Sequence, residues 1–419
     1  MTEALEKVWL LIEAAELDVA LVELESQDAT LPPCLERRTQ RGIIYLQMGN
    51  ALDAMTCLQE VLEGAPDNIR ALVMYSDACD LLGERDEALR NLNLALELEP
   101  SLDVAILRRA ELKIRMGNLL GGLEDYKVRH KLFPARVGLA MEAGGWPEWQ
   151  GQCIAGKRIV LAGEQGLGDT VQIMRFVRFV EALGACVILG LHLGLHAICR
   201  QSGFKGDLYS IVPADVDADY QAALMDVPLI LKLTDGELWA GEAYLSPDFA
   251  KVMRHRKMLR PARLRIGIAW QGSQSFAGDS TRSIPLSAFK AISGISGVAL
   301  YSLQAVDGLD QLTQMQSQLG IHVFSGLDAA PASFLESADL MVAFDLIITP
   351  DTAVGHVAGA LGCPAWLALS RRSDARWRDG QTETPWYPRH RLFRQSIDGD
   401  WTGVLRDMRA SIYSMLDAK

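Results

Sequence analysis

The stretch at residues 70–100, RALVMYSDACDLLGERDEALRNLNLALELEP, decides the fold of the first third of this chain. Gly83 should end a first helix, because glycine adopts the left-handed conformation of a helix end without a steric penalty. Pro100 should terminate a second helix, because proline lacks the N–H that a helix interior needs. Ala88 is small, which suits a point where two helices cross closely. The stretch therefore predicts a helix–turn–helix unit.

The same residue types recur at intervals of 34 positions. The recurring positions are Pro32, Pro66, Pro100 and Pro134, then Gly49, Gly83 and Gly117, and then Ala20, Ala54 and Ala88, with Gly122 in the fourth copy. A 34-residue period is typical of tetratricopeptide (TPR) repeats. We place the units at 1–34, 35–68, 69–102 and 103–136. The first has Ala15 in place of the turn glycine, which indicates a cap or a degraded copy.

The rest of the chain alternates strands and helices. Residues 157–192, KRIVLAGEQGLGDTVQIMRFVRFVEALGACVILGLH, read as strand, glycine turn, helix and strand. A second start, RLRIGIAWQGSQ, leads to FDLIITPDTAVGHVAGALGCPAWLAL, which is again strand, turn, helix and strand. Such units form parallel sheets, and ligands bind beyond the carboxyl ends of the strands. The predicted fold class is α plus α/β, in which a TPR helical array precedes two Rossmann-like halves.

The predicted boundaries are 1–136 for the array, 137–250 for the first half and 251–419 for the second half. The charged stretch 246–262 is interpreted as the linker between the halves, and the tail DWTGVLRDMRASIYSML as a terminal amphipathic helix. Two glycine-rich turns, one in each half, should then face one cleft.

The first turn is GEQGLGDT, residues 163–170. Its spacing is G-x-x-G-x-G, and the strand that follows ends without an acid for a ribose, so we do not expect a dinucleotide. Asp169 stands at the start of a helix. Its carboxylate could cap free backbone N–H groups, or it could accept a proton from a hydroxyl nucleophile at the mouth of the cleft.

The second turn is TPDTAVGH, residues 349–356. Pro350 and Asp351 should start a helix whose free amides and dipole suit a diphosphate. Thr352 and His356 are four residues apart and should share one helix face. Taken singly, Asp351 could be an N-cap and His356 a core histidine; their occurrence together after a buried strand favours the binding interpretation.

A third element, WQGSQS at residues 270–275, leaves the first strand of the second half and borders the same cleft. Arg282 follows it and could clamp a phosphate with two hydrogen bonds, or could be a surface arginine. The later loop SRRSDARWRDG contains four arginines, for which a solvated loop is the simpler interpretation, although Trp377 hints at stacking.

These motifs together resemble the family 9 glycosyltransferases, the heptosyltransferase-like group with the GT-B fold, and particularly their bacterial members fused to TPR repeats. The matching stretches are GEQGLGDTVQIMRF, GIAWQGS with DSTRSIPL, YSLQ, LIITPDTAVGHVAGALG, PWYP and RLFRQ. Two departures are Gly355, where alanine is expected, and SRRSDARW, where the fused members more often have PDWRW.

The resemblance implies an inverting, metal-independent transfer of a sugar from a nucleotide-sugar donor. Asp169 would be the catalytic base. The implied donor-binding residues are Gly168, Gln271, Gly272, Ser273, Arg282, Gln304, Asp351, Thr352 and His356. No cofactor or divalent metal is expected beyond the nucleotide sugar itself. The array would bind a protein or peptide partner and would recruit the acceptor, which is a protein or a glycan. Two rival functions stay open: an inactive TPR scaffold that binds nucleotide sugars, and a sugar-nucleotide epimerase.

The composition of the chain argues against several other classes of protein. The formal net charge of -12 argues against general nucleic-acid binding, which needs a basic face. The seven cysteines include no C-x-x-C pair, which favours a reducing compartment over a disulfide framework. The N-terminal residues do not read as a signal peptide, and no run is long enough to span a membrane. A cytoplasmic location is expected.

Overall fold

The computed structural model describes residues 3–137, 140–164, 166–238, 241–276, 278–324, 327 and 334–418. They belong to two compact units, Met1–Leu132 (unit 1) and Phe133–Lys419 (unit 2). The division falls at residues 132–133, whereas the sequence placed it at residues 136–137.

Unit 1 is an array of helix pairs, and each paired helix packs against the next along the chain. The paired helices are α1 (Glu3–Glu13), α2 (Leu17–Thr30), α3 (Leu35–Gln47), α4 (Ala51–Gly64), α5 (Ile69–Leu82), α6 (Arg85–Leu98), α7 (Asp103–Arg115) and α8 (Leu119–Tyr126). A short helix, α9 (Arg129–Leu132), follows them. One pair falls in each 34-residue unit, so the helical array and its period are confirmed.

The turns inside the pairs explain the recurring glycines. Gly83 ends α5 with a φ of +87°, in the left-handed region. Ala15 takes the equivalent conformation in the first pair, with a φ of +58°. A residue with a β-carbon is strained there by about 1 kcal/mol, yet the pair is complete. Pro134 follows a helix as the other repeat prolines do, but it also begins the short helix α10 (Pro134–Val137).

Unit 2 contains two sheets in which all neighbouring strands are parallel. The first sheet has the order β3-β2-β1-β4 and the second β10-β9-β8-β5-β6-β7. The strands are β1 (Arg158–Ala162), β2 (Cys186–Gly190), β3 (Asp207–Tyr209), β4 (Tyr220–Ala223), β5 (Leu264–Ile268), β6 (Val298–Ser302), β7 (Ile321–His322), β8 (Leu346–Pro350), β9 (Ala365–Leu369) and β10 (His390–Arg394). We call the parts that carry the two sheets the first and second halves.

Helices connect these strands. They are α11 (Leu167–Ile173), α12 (Val177–Ala182), α13 (His196–Gln201), α14 (Val227–Ile230), α15 (Asp235–Leu238), α16 (Phe249–Met258), α17 (Asp279–Arg282), α18 (Leu309–Leu319), α19 (Leu335–Ala343), α20 (Ala353–Ala360) and α21 (Trp401–Asp417). The expected terminal helix is α21, whose Trp401, Leu405 and Met408 are buried in the core of the second half.

Two predicted features differ in the structure. The stretch 246–262 contains the helix α16, whose first turn is capped by the side chain of Asp248. The loop after β9 is not the end of the sheet, because β10 returns parallel to β9. Residues 370–389 are therefore a crossover between two neighbouring strands. Such a crossover begins at the carboxyl end of β9, the edge where ligands of parallel sheets bind.

Candidate functional site

The two glycine-rich turns meet inside unit 2, where α11 packs against α20. A β-carbon on Gly168 would lie 2.7 Å from Cδ2 of His356 and 3.6 Å from Cα of Ala353. Only a glycine permits this approach, because a β-carbon within 3.0 Å of another heavy atom would force a shift. The sequence expectation that the turns face each other agrees with this geometry. Gln165 of the first turn lies outside the described residues.

Both carboxylate oxygens of Asp169 have partners. Asp169 is the third residue of α11, and its Oδ2 accepts a hydrogen bond of 3.1 Å from the N–H of Gly166, the N-cap. Its Oδ1 lies 2.5 Å from Nη2 of Arg376. One oxygen therefore caps the start of the helix, and the other faces the second half.

Arg376 connects the two halves. Its Nη1 donates to Oε1 of Gln172 at 2.7 Å in the first half. Its Nε and Nη2 donate to the two oxygens of Asp374 at 2.9 and 3.0 Å. Burial alone would lower the pKa of this guanidinium, but the carboxylates of Asp374 and Asp169 raise the pKa well above its ordinary value. Arg376 is thus a fixed cation at the centre of the site, where the sequence analysis favoured a solvated arginine.

The second turn departs from its predicted form. Pro350 ends β8, and α20 begins at Ala353 with Thr352 at the N-cap position. Asp351 is therefore not the N-cap, and the helix starts two residues later than expected. The hydroxyl of Thr352 lies 3.1 Å from that of Thr349, behind the turn. Burial raises the pKa of Asp351 to about 6, against the opposing effect of Arg376.

His356 is held among aromatic side chains. Its Nδ1 lies 2.9 Å from the hydroxyl of Tyr387, and its ring stacks on Trp377 with a centroid distance of 5.4 Å. Nε2 lies 3.9 Å from Oδ1 of Asp351. Burial, and then the charge of Arg376, lower the pKa of His356 well below its ordinary value. The imidazole is therefore neutral and can offer a hydrogen bond but not a charge.

Arg282 lies on the same turn from the opposite side. Its Nη1 donates to the carbonyl oxygen of Asp351 at 3.1 Å, and its Nε donates to Oδ1 of Asp279 at 3.2 Å. A β-carbon on Gly272 would collide with the guanidinium, so the glycine leaves room for it. The structure thus brings Gly272, Arg282 and Asp351 together.

The remaining predicted residues have structural partners of their own. Gln304 accepts from the N–H groups of Trp270 and Gln271 at 3.0 and 3.1 Å, and it donates to the carbonyl of Gln271 at 2.9 Å. Its amide therefore fixes the loop after β5. Gln271 itself accepts from Gln311, and the exposed Ser273 lies 2.8 Å from the hydroxyl of Ser275. These hydrogen bonds of Gln271, Ser273 and Gln304 are made with the loop after β5 and with Gln311, and not with the second turn.

Sequence reasoning missed the importance of Arg175. It is buried, with its guanidinium 5.0–5.2 Å from the ring centroids of Tyr244, Trp386 and Tyr387. Its Nη2 donates to the carbonyl of Trp386 at 2.9 Å. This contact packs the first half against the crossover that carries Tyr387. The available signal was the aromatic PWYP stretch, which matched the family but had no assigned contact.

The acidic stretch DVDADY, residues 215–220, lies away from this site. Asp219 directly precedes β4, so it lies at the amino end of the strand, opposite the ligand-binding edge. Its carboxylate accepts from Nζ of Lys157 and from the N–H of Arg158, both at 2.8 Å. Across the residues with described positions, we find no cluster of three or more His, Cys, Asp or Glu side chains suited to a metal.

None of the helices in the described ranges combines the length and apolar character needed to cross a membrane.

No family model matches the chain, but a known protein is similar to it over most of its length. Protein FlbA from Caulobacter vibrioides is 27% identical over 403 residues, which cover 88% of this chain and 67% of that protein.

Solved TPR structures match about a third of the chain. A TPR protein from Parabacteroides merdae shares 23% identity with a TM-score of 0.27, over 32% of this chain and 53% of its own. The match thus spans about half the length of that protein. A thermophilic TPR protein from Thermus thermophilus shares 22% identity with a TM-score of 0.29, over 31% of this chain and 73% of its own. The array therefore has TPR proteins among its structural neighbours.

Proposed function

We propose that unit 2 is an inverting, metal-independent glycosyltransferase of the GT-B type, which transfers a sugar from a nucleotide-diphosphate sugar to a hydroxyl acceptor. The single observation that carries the proposal is that α11, with Asp169 paired to Arg376, packs against α20, and Arg282 bonds to the turn that precedes α20. A carboxylate, unpaired helix amides and fixed cations at one point supply the groups that such a transfer needs.

The donor diphosphate would bind at the first turn of α20. The first N–H groups of a helix have no partner inside it, and the helix dipole favours an anion there. Arg282 lies beside this turn through its bond to the carbonyl of Asp351. Gly168 lacks a side chain, so the backbone of the first half comes close to His356 and Ala353 in the first turn of α20.

The chemical step follows from these positions. Asp169 takes the proton of the acceptor hydroxyl, the oxygen attacks the anomeric carbon, and the bond from that carbon to the diphosphate breaks. Negative charge then develops on the leaving diphosphate, where the amides of α20 and Arg282 stabilise it. The attack comes from the face opposite the leaving group, so the anomeric configuration inverts. Cations and amides would do here what a divalent ion does in other transferases.

The array in unit 1 would bind a protein or peptide, as stacked helical repeats commonly do on an extended surface. We propose that this partner is the acceptor or presents it. The rival assignment, a scaffold that binds nucleotide sugars without transfer, draws support from one observation: both oxygens of Asp169 are engaged. Turnover separates the two functions.

The donor site can be tested by binding alone. Calorimetry with UDP, GDP, ADP, CDP and TDP should identify at least one ligand for the full chain. Arg282→Ala should weaken its binding by about 1–3 kcal/mol, the scale of charge-assisted hydrogen bonds. Arg372→Ala, an exposed arginine in the crossover, is the matched control and should bind normally. Failure of every nucleotide to bind, or equal affinity in the Arg282 variant, would refute the donor site.

A further inference from the structure

Arg376 is the residue through which the presumed base contacts the donor side. Its three nitrogens all have acceptors: Gln172, Asp374 and Asp169. Asp169 in turn has its Oδ1 on Arg376. In this arrangement, a base that must accept a proton from a hydroxyl has its outward oxygen occupied by a cation.

The partners of Arg376 make different numbers of hydrogen bonds with it. Asp374 receives two hydrogen bonds from the guanidinium and a third, of 2.9 Å, from the N–H of residue 376. Gln172 receives one bond from Nη1. Asp169 contacts only Nη2, and Nη2 also donates to Asp374. Loss of the Asp169 contact would therefore leave the side chain oriented by its other partners.

A diphosphate would compete for the same donor. Trp377, the residue after Arg376, stacks on His356 of α20, and Gly168, next to the Asp169 that pairs with Arg376, faces the same ring. Arg376 therefore lies beside the helix at whose first turn we place the diphosphate. Arg282 is already bonded to Asp279 and to the carbonyl of Asp351. Phosphate oxygens are strong acceptors for a guanidinium. Nη2 of Arg376 can turn to them while Nε keeps its bond to Asp374 and Nη1 keeps its bond to Gln172.

We propose that Arg376 is a positioning residue that exchanges Asp169 for the donor diphosphate, so that Asp169 becomes available as a base only after the donor has bound. The inference rests on the proposed function and adds an order of events to it: donor first, then proton acceptance. The ion pair with Arg376 holds Asp169, and donor binding releases it.

A double-mutant cycle in nucleotide affinity tests the exchange without any turnover. Calorimetry of the full chain uses the tightest of UDP, GDP, ADP, CDP and TDP. Asp169→Asn removes the competitor for Nη2 and should tighten binding on the order of tenfold, whereas Arg376→Gln should weaken it by a similar factor. In the Arg376→Gln background, Asp169→Asn should have little further effect. Arg372→Gln, an exposed arginine in the same crossover, should match the wild type.

Two outcomes would overturn the exchange. If Asp169→Asn leaves affinity unchanged or weakens it, the ion pair supports the donor site instead of competing with the donor. If Asp169→Asn tightens binding equally with and without Arg376, the cause is general repulsion between a carboxylate and phosphate. Should Arg376→Gln not fold, the sign of the Asp169→Asn effect decides. If no nucleotide binds the wild type, the proposed function itself fails; binding without coupling overturns only the exchange.

Discussion

The β-carbon of an alanine at position 168 would lie 2.7 Å from the imidazole of His356. That ring is buried between Trp377 and Tyr387, so it cannot move aside as a flexible side chain would. The two turns of the candidate site would have to separate.

We expect Gly168→Ala to cost about 1–3 kcal/mol of stability, as overpacking in a close-packed interior does, and to weaken nucleotide-diphosphate binding. Thermal unfolding and calorimetry measure the two effects. Gly236→Ala is the control, because no atom lies within 4 Å of its added β-carbon. Unchanged binding in Gly168→Ala would show that the close approach of the turns has no part in the donor site.

At this scale the sequence identified residues that follow strands and missed those that depend on distant contacts. Asp169, Arg282 and Asp351 stand at strand-to-helix turns or just after a strand, where chemistry is expected. Arg376 lies in a charged loop, and its partner Gln172 is 204 positions away. No local pattern distinguishes such an arginine from a solvated one, because its burial is created by the packing of the two halves.

Among the elements, the repeat helices were the most predictable, because a period shared by Gly83, Pro100 and Ala88 specifies both turn and packing. Strand β10 was missed for the opposite reason. Its sequence HRLFR has polar residues at three of five positions, His390, Arg391 and Arg394, so it shows no apolar run. Helix α16 was interpreted as a linker because its stretch is charged and flanked by prolines. In the structure, only Val252 of its ten residues is buried.

Strand β10 gives unit 2 a specific sensitivity to acid. His390 at its start is buried, with neither ring nitrogen bonded among the described residues. Burial, reinforced by the charge of Arg175, lowers the pKa of His390 from 6.5 to about 3. Between these two pKa values, the unfolded chain therefore binds a proton at His390 that the folded chain does not bind. The stability that depends on neutral His390 is fully present above pH 6.5 and is lost as the pH falls toward 3.

We expect His390→Phe to flatten this dependence, by at most about 1.4 kcal/mol per pH unit within the window. Urea unfolding at several pH values, followed by tryptophan fluorescence, measures it. All tryptophans except Trp9 belong to unit 2, so the signal reports mainly on that unit. Carboxylates elsewhere affect wild type and variant alike, and only the difference is assigned to His390. Parallel curves would mean that the histidine is not buried neutral.

For the whole molecule, the division at residues 132–133 separates recognition from chemistry in our account. A chain starting at Phe133 should fold and bind the nucleotide as the full chain does, because a repeat array contacts mainly itself. Transfer of the sugar to a macromolecular acceptor by this shortened chain should fall sharply. Hydrolysis of the donor, in which water takes the sugar and nucleoside diphosphate is released, should persist. Equal modification of the acceptor by both chains would mean that the array does not recruit it.

The central claim is that Asp169 is the base of a sugar transfer, and its most direct test is turnover of nucleotide sugars. The wild type and Asp169→Asn are each incubated with a panel of nucleotide sugars, and release of nucleoside diphosphate is followed over time. Asparagine is similar in size and can still accept from Gly166, so the fold should persist. We expect the wild type to consume at least one donor, and the variant to be slower by about 100-fold or more while it still binds the nucleotide. An Asp169→Asn protein that binds and turns over the donor at the wild-type rate would contradict the account.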